Sequence, residues 1–250
     1  MRLGIVGTGK MGSLLKQTLE KNNNEIIAAV HRGYELQTLS EPPELVFDFS
    51  HPDNLQALLE YALNYHVKLV LGTTNYTQKQ QLSIHAAAMQ IPIIQEANFS
   101  LGIAVLKQAL KQITPILAED FDIEIIEKHH NQKVDAPSGT AKQLAGIMNP
   151  AHQYNELYGR RGECGQRGKE IGIHAIRGGN LAGEHTILYL GEDESLEITH
   201  KAVNKRIFIH GAIKAAAFLS DKEKGYYTME DVLSMWEEVN GTSRNHRYDQ

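Results

Sequence analysis

Two adjacent imidazoles, a lysine and a Ser-Gly-Thr step fall within one short segment, Glu127–Ala141. In order, its polar members include His129, His130, Lys133, Asp135, Ser138 and Thr140. A histidine can hold and donate a proton near neutral pH. Lys133 is a fixed cation suited to a carboxylate. Ser138, Gly139 and Thr140 have the composition of a helix start, where free N–H groups attract anions. Such a segment suits gripping a small dianion while protonating it. Extended backbone points His129 and His130 in opposite directions, so they should have different tasks. Asp135 and Pro137 are expected to shape the turn.

The other end of the chain supplies a second kind of chemistry. Gly7, Gly9 and Gly12 form a GxGxxG pattern that follows an apolar run and precedes a helical one. That context is the one a dinucleotide fingerprint requires. Gly7 permits the tight turn, Gly9 lets backbone approach a pyrophosphate, and Gly12 lets the helix pack close to the sheet. Thr8, Lys10 and Met11 share the loop and are expected to touch the cofactor with it. The second apolar run ends at His31 and Arg32. An NAD-selective fold usually carries an acid there, and none stands at that strand end. Arg32 and Lys10 can instead meet a 2′-phosphate, which favours NADPH or dual use. Phe49 and Ser50, and Gly72, Thr73 and Thr74, close two further expected strands. Ligands of an open parallel sheet bind at such carboxyl ends. A hydride source together with an anion-gripping acid reads as a reductase of a small carboxylate.

Composition excludes several classes. The net charge of −5 and the lack of a dense basic cluster argue against a nucleic-acid partner. No apolar run reaches the roughly 18 residues of a membrane span. The twelve histidines show no HExxH or His/Cys spacing, so no metal is expected. A single cysteine, Cys164, precludes an internal disulfide and fits a reducing cytoplasm. The strand beginning at Leu3 leaves no room for a signal peptide.

The elements that must position these residues follow from periodicity. Strand-like runs at Leu3–Val6, Ile26–Val30, Leu45–Phe47, Lys68–Leu71 and Ile91–Ile94 alternate with helical stretches at Met11–Lys21, Pro52–Tyr65 and Thr77–Met89. This rhythm predicts a Rossmann-like parallel sheet with helices on its faces. The segment between Val30 and Leu45 is too short and polar for a helix. A helix over Ile103–Leu117, a strand over Phe121–Glu127, the His-His loop and a helix over Ser138–Met148 come next. Gly159–Gly168 reads as a mobile loop. Strands are then expected around Ile171–Ile176, Glu184–Leu190 and Ser195–Lys201, and helices at Ala212–Leu219 and Met229–Glu238. The fold class is α/β, with a second α+β domain built on a mostly open mixed sheet. Residues 1–100 and 211–250 are expected to form the dinucleotide-binding domain. Residues 101–210 are expected to form the substrate-binding and oligomerisation domain.

The segment Glu127–Ala141 resembles the signature of the 4-hydroxy-tetrahydrodipicolinate reductases, also called dihydrodipicolinate reductases. Gly7–Gly12, Asp48–Ser50, Gly72–Thr74, Ala97–Ser100, Ile176–Thr186, Glu197–His200 and Gly211-Ala212 recur in that family's order, so the resemblance spans most of the chain. It implies reduction of a cyclic dicarboxylate by NADH or NADPH, with loss of water, in lysine and diaminopimelate synthesis. By that resemblance His129 is the proton donor and His130 a substrate contact. Lys133 binds and polarises the substrate, and Gly139 and Thr140 hold a carboxylate. Gly72, Thr74, Ala97 and Phe99, with Asn98 between the last two, line the nicotinamide. The family also implies a homotetramer formed through the second domain's sheet. One departure stands out: many members carry an acid where this chain has His31.

Two rivals compete with that reading. An aldehyde dehydrogenase would need Cys164 as nucleophile, yet that residue lies in a glycine-rich polar stretch with no adjacent histidine. A nucleotide-sensing regulatory module without turnover would explain Gly7–Gly12 but not His129, Lys133 and Thr140 together.

Overall fold

The computed structural model describes residues 1–22 and 24–235. The chain divides into two compact units. The first comprises Met1–Leu101 and the segment from Arg206 onward, and the second comprises Gly102–Lys205.

In the first unit, strands β1 (Arg2–Val6), β2 (Glu25–Val30), β3 (Leu45–Asp48), β4 (Lys68–Leu71) and β5 (Pro92–Gln95) alternate with helices α1 (Lys10–Lys21), α2 (Leu55–Tyr65) and α3 (Gln78–Ala88). The chain returns after the second unit to add one more strand, β11 (Gly225–Tyr227), beside β5. The six-stranded sheet runs β11-β5-β4-β3-β1-β2, and every pairing is parallel. A parallel sheet covered on both faces needs apolar residues at successive positions. β3 meets that need with Leu45, Val46 and Phe47, all fully buried. Leu58, Leu59 and Ile84 from α2 and α3 pack with Val46, Leu69 and Ile93. Helix α6 (Arg206–Leu219) packs on α1, β4 and β5. Between Val30 and Leu45 the chain makes a 3-10 turn at Gly33–Thr38, too short for the α-helix that a longer crossover would hold. β11 escaped sequence reading because a three-residue strand carries no usable period. Helical residues 229–235 follow it, and the rest of the expected Met229–Glu238 helix lies outside the described residues.

The second unit is built on β6 (Asp122–His129), β7 (Asn155–Leu157), β8 (Glu170–Arg177), β9 (Gly183–Leu190) and β10 (Ser195–Ala202), in the order β10-β9-β6-β8-β7. The sheet is mixed: β6 pairs parallel with β8 and antiparallel with β9. Helices α4 (Leu101–Leu117) and α5 (Gly139–Met148) cover one face. Their Ile103, Leu106, Leu110, Leu144 and Met148 pack with Ile123, Ile125, Ile173, Ile187 and Tyr189. Side chains alternate along a strand. The row that begins with Ile123 and Ile125 therefore continues through Glu127 and His129 on the same helix-covered face. Register adds His185 of β9, opposite Glu127, and Arg177 of β8, opposite His129. One end of an apolar core is thus finished with a polar layer. β6 runs two residues beyond the expected Phe121–Glu127, so His129 sits on a strand, not in the loop. Gly159–Gly168 has no regular structure, but Arg160 and Arg167 tie it to Glu124 of β6.

Two glycines make opposite demands on packing. A Cβ on Gly211 of α6 would lie 1.7 Å from the carbonyl oxygen of Phe99. Gly146, exposed within α5, has nothing within 4 Å of that position. Gly211→Ala should therefore cost at least about 1–3 kcal/mol through overpacking. Gly146→Ala should add roughly 0.4–1 kcal/mol. Calorimetric melting of both variants checks this, with Tm falling in the first and rising in the second.

Candidate functional site

The glycine loop of the first unit is shaped by backbone contact. Gly7 has φ +100°, and a Cβ there would meet the Phe49 carbonyl at 2.3 Å. A Cβ on Gly12 would lie 1.7 Å from the Gly7 carbonyl oxygen, so α1 starts directly against the loop. Gly9, by contrast, has no atom within 4 Å of its Cβ position. Two glycines close the turn and the third leaves it open, which fits backbone approach by a ligand phosphate. Thr8, Gly9 and Lys10 are exposed, and Met11 is half-buried in the first turn of α1.

A cavity of about 400 Å³ lies beside this loop, lined by Gly7, Thr8, Gly9, His31, Arg32, Phe49 and Ser50 among others. A second hollow of about 610 Å³ shares Ser50 and adds Thr73 and Thr74. The two hollows thus bring together predicted cofactor residues from the loops after β1, β2, β3 and β4. Their roles differ in detail. Thr73 is buried, and its Oγ1 accepts the Ser50 N–H at 2.9 Å, so it links two loops. Gly72 allows close approach to Phe49, whose ring lies 2.2 Å from its Cβ position. Phe99 is buried and packs on Phe49, with ring centroids 6.0 Å apart. Ala97 is exposed, and Asn98 accepts the Ser100 N–H through Oδ1 at 2.9 Å.

Asp48, buried at the end of β3, was not singled out from sequence as a structural centre. The Ser50 hydroxyl donates to its Oδ1, and the Tyr76 hydroxyl donates to Oδ2 at 3.0 Å. Burial pushes the Asp48 carboxyl up, opposed by hydrogen bonds from Ser50, Thr73 and Tyr76. The end of β2 also differs from expectation. The 3-10 turn folds the chain back, and Glu35 Oε2 accepts the His31 N–H at 3.1 Å. A carboxylate therefore does stand at that strand end, supplied from four residues downstream.

In the second unit the centre is Glu127, whose side chain is fully buried. Arg177 of β8 grips it with two N–H groups, at 2.7 Å to Oε2 and 2.6 Å to Oε1. The backbone N–H of Ser138 donates to Oε1 at 3.0 Å. His129 Nδ1 lies 2.6 Å from Oε2. Burial pushes the carboxyl up, but the bonds from His129, Arg177 and Ser138 outweigh it and hold it down at about 2. His185 stands edge-on to the His129 ring at 5.2 Å, its Nε2 3.1 Å from Ser138 Oγ. Burial holds His185 down at about 4, helped by the neighbouring charges of His129, His200 and Lys133 against that of Glu127.

The remaining predicted residues frame this pair of rings. The His130 N–H donates to the Leu181 carbonyl at 3.0 Å, and the Lys133 N–H to the His130 carbonyl at 3.2 Å. Lys133 Nζ is 2.8 Å from Asp135 Oδ1. Arg177 also donates to the Asp135 carbonyl at 2.7 Å, and the Ala136–Pro137 peptide is cis. Ser138 caps α5, its Oγ accepting the Ala141 N–H at 3.2 Å. One expectation needs correction: the Ser138 N–H is committed to Glu127, which leaves Gly139 and Thr140 of the three residues expected to cradle an anion. Gly139 has open space at its Cβ position. Sequence reading missed Arg177 and His185. The signal that could have found them is the alternation of Ile173 with Arg177, and of Ile187 and Tyr189 with His185, on one face. Cys164 is exposed, and its thiol donates to the Arg161 and Gly162 carbonyls.

A family model described as dihydrodipicolinate reductase, N-terminus, matches residues 1–99, and one described as dihydrodipicolinate reductase, C-terminus, matches residues 102–233. The chain belongs to the dihydrodipicolinate reductase family. A 4-hydroxy-tetrahydrodipicolinate reductase of Brachyspira hyodysenteriae is 40% identical over 237 residues, covering 94% of this chain and 100% of the relative. One from Rickettsia bellii is 42% identical over 236 residues, covering 92% and 94%. A dihydrodipicolinate reductase from Paenisporosarcina sp. TG-14, solved with dipicolinate bound, shares the fold at a TM-score of 0.74 and 23% identity, covering 92% of this chain and 98% of that one. The regulatory-module reading gains no support from these relatives, which carry the name of an enzyme.

The pH dependence of stability follows from His185. Its pKa in the fold, about 4, lies below the ordinary 6.5, so folding favours the neutral ring. That stabilisation is complete above pH 6.5 and is lost as pH falls through 4. His185→Asn should flatten the pH dependence of Tm between pH 6.5 and 4. An unchanged slope in that window would contradict the placement of the ring.

Proposed function

We propose that this chain reduces 4-hydroxy-tetrahydrodipicolinate to tetrahydrodipicolinate with NADPH or NADH, with loss of water, in lysine and diaminopimelate synthesis. The observation that carries the reading is the polar layer at the end of the second sheet. There a histidine with a carboxylate partner adjoins a lysine and a helix start, in a chain 40% identical to named reductases over their whole length.

The first unit holds the dinucleotide through Gly7–Gly12, Arg32, Phe49–Ser50, Gly72–Thr74 and Ala97–Phe99. A loop that a Cβ would fill at Gly7 and Gly12 but not at Gly9 fits that group. When bound, the cofactor supplies a hydride. The second unit performs the rest. Lys133 and the start of α5 at Gly139 and Thr140 neutralise the two carboxylates, the helix contributing its partial positive charge. His130 contacts the substrate. His129 delivers the proton that the hydride must be matched by. Orientation, charge neutralisation and one positioned acid are sufficient for this chemistry.

Lys133 pairs with Asp135, and this part-exposed bridge is the kind worth little. Exchanging Asp135 for a substrate carboxylate therefore costs little. Assembly as a homotetramer is supported by the face of the second sheet opposite α4 and α5, where Ile176 and Leu190 are exposed. A biosynthetic enzyme with a lone, exposed cysteine suits the cytoplasm.

Turnover tests the assignment of the acid. With freshly generated substrate, the wild type should oxidise NADPH steadily. His129→Gln should lower kcat by roughly 10²–10⁴ and leave NADPH affinity nearly intact. Turnover close to wild type in that variant would sink the role.

Cofactor choice rests on Arg32, an exposed guanidinium lining the cavity. NADPH should bind at least as tightly as NADH, by a margin that shrinks with added salt. Glu35 opposes a 2′-phosphate and favours ribose hydroxyls, so the margin is set by two charges of opposite sign. Titrations should find Arg32→Ala weakening NADPH more than NADH. Equal weakening of both cofactors means that Arg32 does not read the phosphate.

A further inference from the structure

Glu127 lies within the signature segment, yet nothing in the reaction as written above uses it. It is also the one acid on the helix-covered face of β6, where each neighbour in its row is apolar or is His129. Its position is not that of a surface charge that happened to find a partner.

We propose that Glu127 is the positioning residue for His129: it holds the proton on Nδ1 and so makes Nε2 the atom that delivers the catalytic proton. This rests on the reading of His129 as the acid. The geometry carries it in three steps.

First, the carboxylate cannot turn. Arg177 grips both oxygens, and the Ser138 N–H fixes Oε1. Oε2 is thereby aimed at His129 Nδ1, 2.6 Å away. An ionised carboxylate has no proton to give, so Nδ1 must be the donor in this bond. Second, the other ring nitrogen has been left room. The position a Cβ would take on Gly183 is 3.1 Å from His129 Nε2. Any other residue there would press on the nitrogen that has to meet substrate. Third, the same carboxylate sets the distance between the acid and the anion cradle. Ser138 is the N-cap of α5, so one buried group fixes both the His129 ring and the helix start that begins with Gly139 and Thr140. The proton and the carboxylate site are held in register by Glu127, not by the intervening loop.

The titratable and charged groups around the His129–His185 pair are Glu127 from β6, Arg177 from β8, His200 from β10, and Lys133, itself paired with Asp135, from the loop before α5. Glu184 and Lys128 pair with each other, and strand alternation puts both on the opposite face of the sheet. Arg177 neutralises Glu127 while His129 is neutral. Protonation of His129 then adds a single positive charge, which suits a site that receives a dianion. Delivery of the proton breaks the Nε2–H bond, and its electron pair stays on the ring. His129 is left neutral with Nδ1–H still bonded to Glu127. Solvent restores the proton.

Two measurements on the intact protein test the proposal. Long-range ¹H–¹⁵N correlation spectra of histidine-labelled wild type, assigned with His129→Gln, report the tautomer of neutral His129. The Nδ1–H form is expected, and an Nε2–H form overturns the proposal whatever the turnover. Glu127→Gln should lower kcat about 10²-fold or more, the scale on which a wrongly held catalytic histidine acts. Its substrate KM should move far less, because the Gln carbonyl oxygen can still accept the Ser138 N–H that fixes the start of α5. In Glu127→Gln the same spectra should show neutral His129 moving toward the Nε2–H form, because the amide can present an N–H to Nδ1. A structural loss alone would leave the tautomer in place. Wild-type kcat in Glu127→Gln overturns the proposal if His129→Gln is impaired. If His129→Gln turns over normally, the assignment of the acid has failed instead. A variant too unstable to assay leaves the tautomer measurement to decide.

Discussion

A carboxylate can be carried into the closed face of a sheet only if other groups replace the water it leaves. The cost of stripping an ion of its water is several kcal/mol even after relaxation, and a partial set of partners does not offset it. Glu127 meets that condition with a guanidinium fork, a backbone N–H and an imidazole, drawn from β8, the N-cap of α5 and its own strand. The register between β6 and β8 therefore has a chemical consequence. A slip of one residue would move Arg177 to the opposite face of the sheet and leave the carboxylate without its principal partner.

The first unit solves a related problem with backbone in place of charge. Gly12 against the Gly7 carbonyl, Gly7 against Phe49 and Gly72 against the Phe49 ring are approaches that no side chain would permit. They draw three loops together at the carboxyl ends of β1, β3 and β4. Asp48 then links two of them through the hydroxyls of Ser50 and Tyr76. In both units a buried acid at a strand end fixes loops that would otherwise have to be held by long-range packing. The two acids answer burial differently. Asp48, met by neutral hydroxyls, is pushed up, whereas Glu127, met by a guanidinium, is held low.

Close packing and open space alternate with the same logic. Gly9 and Gly139 face space at the starts of α1 and α5, while Gly7 and Gly12 are enclosed. The enclosed glycines fix the backbone, and the open ones leave both helix starts approachable, as the proposed phosphate and carboxylate sites require. The part-exposed Lys133–Asp135 pair belongs with the open set: it is the part of the second site most easily rearranged.

Much of this was already determined by the sequence. Helix and strand periods gave the alternating elements of the first unit, because each buries a repeating apolar face. The glycine spacing marked the dinucleotide loop, because only glycine fits its turn. The composition of Glu127–Ala141 marked a pair of histidines and a lysine leading into a helix start. What the tertiary structure decided is which groups meet. Glu35 reaches the end of β2 because a short 3-10 turn reverses the chain, and no local pattern measures that return. β11 joins β5 from more than a hundred residues away, through a three-residue strand with no period of its own. Arg177 and His185 stand far from Glu127 in sequence and come to it only through strand pairing. Spacing along a chain records local geometry, whereas the partner of a buried charge is chosen by sheet register, which depends on the whole core closing around it.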